Sequence, residues 1–288
     1  MCNNLNISDD YFCLNEDYSK FICQALSEEY NKINIKKICL NPTGWTNIVY
    51  EVVTDKGDFI FRFPRDLFWA KTIVKDCQFA KYIKGKTSFN TVEALLKEND
   101  GRLFSMHKKI PGVPFAEKAD KLKNSDIDKV CQQIAIFMYE LHNLNYVREE
   151  IFLVNNIGLD LQDFISEMLL SHVSDADIQF WNEYNFKNKS GVNRCLVHGD
   201  LNSSNILLDD NNNISAIIDF GFGGFGNKYF DIARVIGRCH KKYKAKIIYN
   251  YETLEGFNLN KDEIDMNIEI WEKIDTGYIN YMRSAKII

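Results

Sequence analysis

The chain has 288 residues, 45% hydrophobic and 26% charged, with 35 Lys+Arg against 40 Asp+Glu and a formal net charge of −5. That composition excludes a disordered, collagenous or disulfide-scaffold chain, and its mild acidity gives no reason to expect bulk nucleic acid as a partner. The acidity is local: between Glu252 and Asp275 eight acids stand against two bases, so this window carries −6 and the rest of the chain +1.

In chain order, residues 18–30 carry apolar side chains at helical spacing. Residues 47–54 (NIVYEVVT) and 58–63 (DFIFRF) are β-branched and aromatic runs separated by the turn residues Asp55-Lys56-Gly57. A helix is expected over 72–83, then strands over 91–96 and 102–108. Two of the four prolines fall in Ile110-Pro111-Gly112-Val113-Pro114, which reads as a linker. Beyond it, Ser125 is the expected N-cap of an amphipathic helix with Ile127, Val130, Cys131, Ile134, Phe137, Met138 and Leu141 on one face, ending near His142. Residues 157–188 contain further helical stretches, 195–198 and 214–220 read as short strands, and 229–248 and 262–283 as helices. The coarse picture is an α+β chain with a β-rich N-lobe (1–109) and a helical C-lobe (110–288).

The eight cysteines are scattered, with no CxxC and no Cys/His ligand spacing, which fits reduced core thiols. Residues 1–10 lack the basic and apolar regions of a signal peptide, and no apolar run nears the ~20 residues of a membrane span. A cytoplasmic monomer without a membrane or nucleic-acid partner is therefore expected.

The most informative stretch is 197–221. His198, Asp200 and Asn205 have the spacing H-x-D-x-x-x-x-N, and Asp219-Phe220-Gly221 follows. Phosphoryl transfer needs a carboxylate at the accepting hydroxyl and metal ions on the phosphate oxygens. Asp200 suits the first task, as base or substrate-orienting group. Asn205 and Asp219 offer hard oxygen ligands for Mg²⁺, and His198 braces the loop. Gly221–Gly226 also spells G-x-G-x-x-G, a dinucleotide fingerprint. The expected second strand with its acid is missing, because 241–246 is basic and helical, so these glycines read as a flexible segment. Only nine residues separate Gly221 from Asp231, with no Ser, Thr or A-P-E among them, which argues against a protein kinase and for a small-molecule acceptor.

On these motifs the chain resembles the aminoglycoside phosphotransferase family, within the kinase-like superfamily that includes choline, homoserine and macrolide kinases. HGDLNSSN, with Gly199 where protein kinases prefer Arg, is that family's form of the loop; Leu141-His142 and Asp231 in FDIA match further motifs. The resemblance covers roughly residues 36–240 and implies a bilobal protein-kinase-like fold with ATP or GTP in the cleft. It also implies that Gly44 and Thr46, in the PTGWTN loop, meet the phosphates. Arg62 stands where the family places a Lys, and Asp76 is the best counterpart of its Glu. The base is expected near residues 105–109, with Phe104 or Met106 lining its pocket and His107 beside it. Asp231 is expected to brace the site. Antibiotic kinases of this kind receive a cationic acceptor on acidic C-terminal helices, a role open here to Asp265, Glu269 and Glu272, although a solvated helix face explains those acids equally. A choline- or homoserine-type metabolite kinase, or a kinase-fold binding module without turnover, are the alternative readings.

Overall fold

β-Branched and aromatic runs with period-two alternation pair into a five-stranded antiparallel sheet of order β1-β2-β3-β5-β4. Its strands are β1 (Ile35–Asn41), β2 (Asn47–Thr54), β3 (Gly57–Pro64), β4 (Leu95–Asn99) and β5 (Arg102–Lys108). The computed structural model describes residues 18–42, 44–145, 194–239 and 241–284, with Gln179 and Asn182; the helical stretches expected over 157–188 lie otherwise outside the described residues.

One face of the sheet buries Phe59, Phe61, Phe63, Phe104 and Met106 against Phe21, Ile22, Ala25 and Leu26 of α1 (Ser19–Glu29). Each such fully buried side chain is worth ~2 kcal/mol of transfer free energy. The opposite face carries α2 (Leu67–Ile83), which starts five residues earlier than its periodicity suggests. Asp66 is the reason, since its side chain accepts the Trp69 N–H (2.9 Å) as an N-cap. α2 belongs to both halves of the molecule: Ala70 and Val74 pack with Leu103 of β5, while Phe79, Ala80 and Ile83 join the main C-terminal core.

After β5 the chain forms a short β6 (Val113–Pro114), one turn of helix α3 (Phe115–Lys118) and then α4 (Asn124–His142). α4 begins at Asn124, so Ser125 lies inside the first turn and Lys123 is the residue before it, with no side-chain cap bond. Its expected apolar face is fully buried and packs on Tyr243, Ile247 and Tyr251 of α6 (Lys241–Glu255). The helix expected over 229–248 is thus two: α5 (Lys228–Gly237) and α6. α7 (Lys261–Ser284) packs on α5, and its Trp271 donates Nε1–H to the Phe230 carbonyl at 3.0 Å.

Four short strands support the chemistry-bearing loops: β7 (Arg194–Val197), β8 (Ile206–Leu208), β9 (Ile214–Ile217) and β10 (Gly224–Asn227). β6, β8 and β9 form one sheet, and β10 pairs antiparallel with β7. The glycine-rich stretch is therefore partly ordered as a strand rather than a flexible segment, because Gly224 and Gly226 sit opposite Val197 and Cys195 in that ladder. Cys23, Cys39, Cys77, Cys131, Cys195 and Cys239 are free thiols. Among the described residues no helix is long and apolar enough to cross a membrane.

Candidate active site

The loop between β7 and β8 is held from below by one buried carboxylate. Asp231, in the first turn of α5, accepts the His198 N–H on Oδ2 (2.7 Å) and the Gly199 N–H on Oδ1 (2.8 Å). His142, the last residue of α4, faces the same Oδ2 through Nε2 at 3.2 Å. The Leu141-His142 and FDIA motifs thus meet at one point, where two backbone donors and an imidazole converge on a side chain with no exposure. Gly199 has φ +79°, and a Cβ there would collide with the Phe222 carbonyl oxygen, so the loop admits no larger residue without moving.

His198 is buried and donates Nε2–H to the Ile218 carbonyl (3.0 Å), while Nδ1 accepts the Asp200 N–H (3.2 Å). Burial lowers its pKa despite the opposing pull of Asp231 and Asp200, so the ring is a neutral brace. Asp200 presents its carboxylate asymmetrically. Oδ1 accepts Nε–H of Arg234 (2.6 Å) and Nδ2–H of Asn202 (3.0 Å), while Oδ2 receives only a long contact from Asn205 Nδ2 (3.4 Å). Asn205 also donates Nδ2–H to the Asp200 carbonyl (3.0 Å), which leaves its amide oxygen free of that work.

Asp219 follows β9 with φ +67°, a conformation uncommon for a non-glycine residue and frequent at functional sites. Its side chain opens onto the cleft, yet dense protein around the cleft floor still dominates its titration. Burial, then Asp76 and Asp200 against an opposing Arg62, pushes the carboxyl up to about 7. A bound cation would relieve that crowding. The free Asn205 oxygen and the Asp219 carboxylate therefore fit a hard ion such as Mg²⁺, which takes few protein ligands and completes its shell with phosphates and water. Among the described residues no group of three or more His, Cys, Asp or Glu could hold a metal alone.

Arg62 on β3 is ion-paired with Asp76 on α2, and its Nε donates to Ser105 Oγ (3.1 Å). Burial opposes the guanidinium charge, but Asp76, Cys77 and Asp219 outweigh it and raise the pKa. Asp76 Oδ1 also accepts the Phe220 N–H at 2.6 Å, joining α2 to the segment carrying Asp219.

A cleft of about 680 Å³ gathers Gly44, Thr46, Arg62, Asp200, Asn205 and Asp219 on its walls. Arg65 Nη2 donates to the Gly44 carbonyl (3.0 Å), and Trp45 stacks on Tyr278 of α7 (6.3 Å, 25°). Not every expected residue reaches this cleft. Phe104 and Met106 pack in the core under α1, while strand alternation sends Ser105 and His107 to the other face. Met106 and His107 border a second cavity of about 690 Å³, shared with Cys77, Gln78 and Lys81 of α2. Asp265, Glu269 and Glu272 are exposed and absent from the cleft wall, which α7 forms with Trp271, Ile274, Asp275 and Tyr278. With 3.6 residues per turn, that stripe and the three acids face different ways. Trp271 is buried and also lines the cleft. Sequence reasoning missed Arg234 and Arg238, which both line it; the signal available was their place three and seven residues after Asp231, on one face of a helix and its end.

The phosphotransferase enzyme family (APH) matches residues 37–258. The chain belongs to the phosphotransferase enzyme family. Hydroxylysine kinase of Mus musculus is 29% identical over 143 residues, 44% of this chain and 38% of that protein, so the match spans well under half of the curated relative. The fold is that of the GDP and kanamycin complex of APH(2")-IIia (TM-score 0.70, 18% identity, 92% and 93% of the two chains). It is equally similar in kind to an aminoglycoside-3'-phosphotransferase of type VIII (0.67, 12% identity, 90% and 100%). A macrolide 2'-phosphotransferase from Brachybacterium faecium also shares it (0.62, 13% identity, 93% of each chain). The α+β, bilobal kinase-like architecture expected from the motifs is thereby the observed one.

Proposed function

We propose that this phosphotransferase moves the γ-phosphoryl group of ATP or GTP to a hydroxyl of a small amine-bearing molecule, an aminoglycoside-like or other antibiotic. The observation that carries this reading is the asymmetry at Asp200: Oδ1 is held by Arg234 and Asn202, and Oδ2 is left for an incoming hydroxyl. The hydroxyl proton passes to Asp200 as the new P–O bond forms and the bond to the β-phosphate oxygen breaks. Asn205 and Asp219 would hold Mg²⁺, which when bound neutralises charge on the phosphate oxygens. The loop around Gly44 and Thr46, with Arg62 steadied by Asp76, meets the phosphates. Nucleotide-bound relatives such as the GDP complexes support the co-substrate assignment.

The base would lie toward the end of β5 at His107, with the lobe boundary at 109/110. The protein would act as a cytoplasmic monomer, without nucleic-acid or membrane partners. A metabolite acceptor is the second reading, favoured by the outward direction of Asp265, Glu269 and Glu272, which leaves Asp275 as the acid that α7 contributes to the cleft. The test is Mg²⁺-dependent nucleotide consumption across antibiotics and hydroxylated amines. Asp200→Ala should lower turnover about a hundredfold or more. Equal rates in wild type and variant with every acceptor would leave a binding module instead.

A further inference from the structure

Four charged side chains meet where α5 and α7 close the cleft. Arg234, on α5, gives Nε–H to Asp200 Oδ1 (2.6 Å) and Nη1–H to Asp275 Oδ2 (2.8 Å), and its guanidinium lies 3.9 Å over the Trp271 ring. Arg238, the next residue along that face, donates Nε–H to the same Asp275 oxygen (3.2 Å) and forms an ion pair with it through Nη2. Two arginines thus crowd one carboxylate oxygen, and hydrogen-bonding capacity is left over on both sides. Arg234 is 9% exposed, lines the cleft, and has no hydrogen-bond partner for Nη2 among the described residues. Arg238 Nη1 and Asp275 Oδ1 likewise have none. A guanidinium fixed by stacking and by two carboxylates presents its free edge to the cleft in one orientation, as a preformed anion reader.

The charge balance points the same way. Asp200 and Asp275 are cancelled by Arg234 and Arg238, so this wall is neutral, whereas a receptor for a polycation needs an excess of carboxylates. The arginines also sit on the wrong edge of Asp200 for the nucleotide: Arg234 holds Oδ1, while Asn205, the expected metal ligand, approaches Oδ2.

We propose that Arg234 and Arg238 bind a carboxylate of the acceptor and that Asp275 Oδ1 takes its ammonium group, so that the acceptor class is a zwitterionic hydroxy amino acid. This rests on the phosphotransferase reading of the cleft given above and, of the two acceptors proposed there, favours the metabolite over the polycationic antibiotic. The carboxylate docks on the paired guanidinium edges, the ammonium on Asp275, and the hydroxyl is left to reach Asp200 Oδ2. Polycations lacking an anion leave both guanidinium edges unsatisfied and place positive charge beside them.

Calorimetric titration of the nucleotide-free protein tests this without requiring turnover. The probes are 5-hydroxylysine, its carboxamide (same amines and hydroxyl, no negative charge) and kanamycin. The acid should bind about tenfold more tightly than the carboxamide, the range of a charge-assisted hydrogen bond, and more tightly than kanamycin. Arg238→Gln, at a half-exposed side chain, should bring acid and carboxamide to similar affinity with a shift in melting temperature of no more than the loss of a half-exposed ion pair. The proposal is overturned if the carboxamide or kanamycin binds as well as the acid, if neither amino compound binds, or if the acid preference survives Arg238→Gln. A retained acid preference in a protein that consumes no nucleotide would instead sink the kinase reading alone.

Discussion

Asp76 holds two partners with its two carboxylate oxygens: Arg62 of β3 on one and the backbone N–H of Phe220 on the other, at 2.6 Å. One short carboxylate thus joins the strand that carries Arg62 to the segment that carries Asp219. Asp76→Ala removes the counter-charge of a nearly buried guanidinium and should cost about 3 kcal/mol of stability in urea unfolding. Arg62→Met/Asp76→Leu should recover most of that stability and none of the activity. Full activity in the double variant would remove Arg62 from the nucleotide site.

Gly199 is fixed by a steric fact rather than by flexibility. Gly199→Ala places a methyl group against the Phe222 carbonyl at a positive φ, and a strain of about 1–3 kcal/mol is expected. Because Asp200 is the next residue, kcat should fall more than the melting temperature alone would explain. Steady-state kinetics beside a thermal melt separates the two.

Asp231 gathers the His198 and Gly199 amides and the His142 ring. Asp231→Asn keeps the size but offers one acceptor oxygen for these donors, leaving at least one backbone N–H buried without a partner. A loss of about 1–3 kcal/mol in stability and a fall in kcat with little change in nucleotide KM are expected. Unchanged kcat would show that the loop needs no such brace.

His107 titrates far from the ordinary imidazole range: burial, then Arg62, pushes its pKa down to about 4. Between that value and the unfolded value near 6.5 the unfolded chain binds more protons, so stability falls as pH drops through this window and is level above it. The shift corresponds to at most about 3 kcal/mol. Denaturation series at pH 7, 5.5 and 4 should show the loss, and His107→Gln should flatten that slope. An NMR titration midpoint near 6.5 for the ring would contradict it.

Much of the candidate site was legible because residue type and spacing come together there: His198, Asp200, Asn205 and Asp219 form a pattern that packing alone has no reason to produce. β2, β3 and β5 were legible for the ordinary reason that their apolar residues alternate. β1 was not, since Lys36 and Lys37 interrupt it; an edge strand can carry such charges where a central one cannot. β10 was hidden by its glycines, whose pairing with β7 is set by tertiary contact rather than β propensity. The side on which Met106 falls depended on where α1 docks. Arg234 looked like one more helical cation, because its stacking on Trp271 joins two helices far apart in sequence.

The stacking of Trp45 on Tyr278 and the bonds from Arg234 to Asp200 and Asp275 tie early, middle and late stretches of the polypeptide to one cleft. During synthesis the loop around Trp45 and the carboxylate of Asp200 leave the ribosome before the helix that completes their surroundings. A nascent chain arrested ahead of α7 therefore carries every motif residue and still lacks one wall of the cleft, so the enclosure around those residues is completed by the last described helix to emerge.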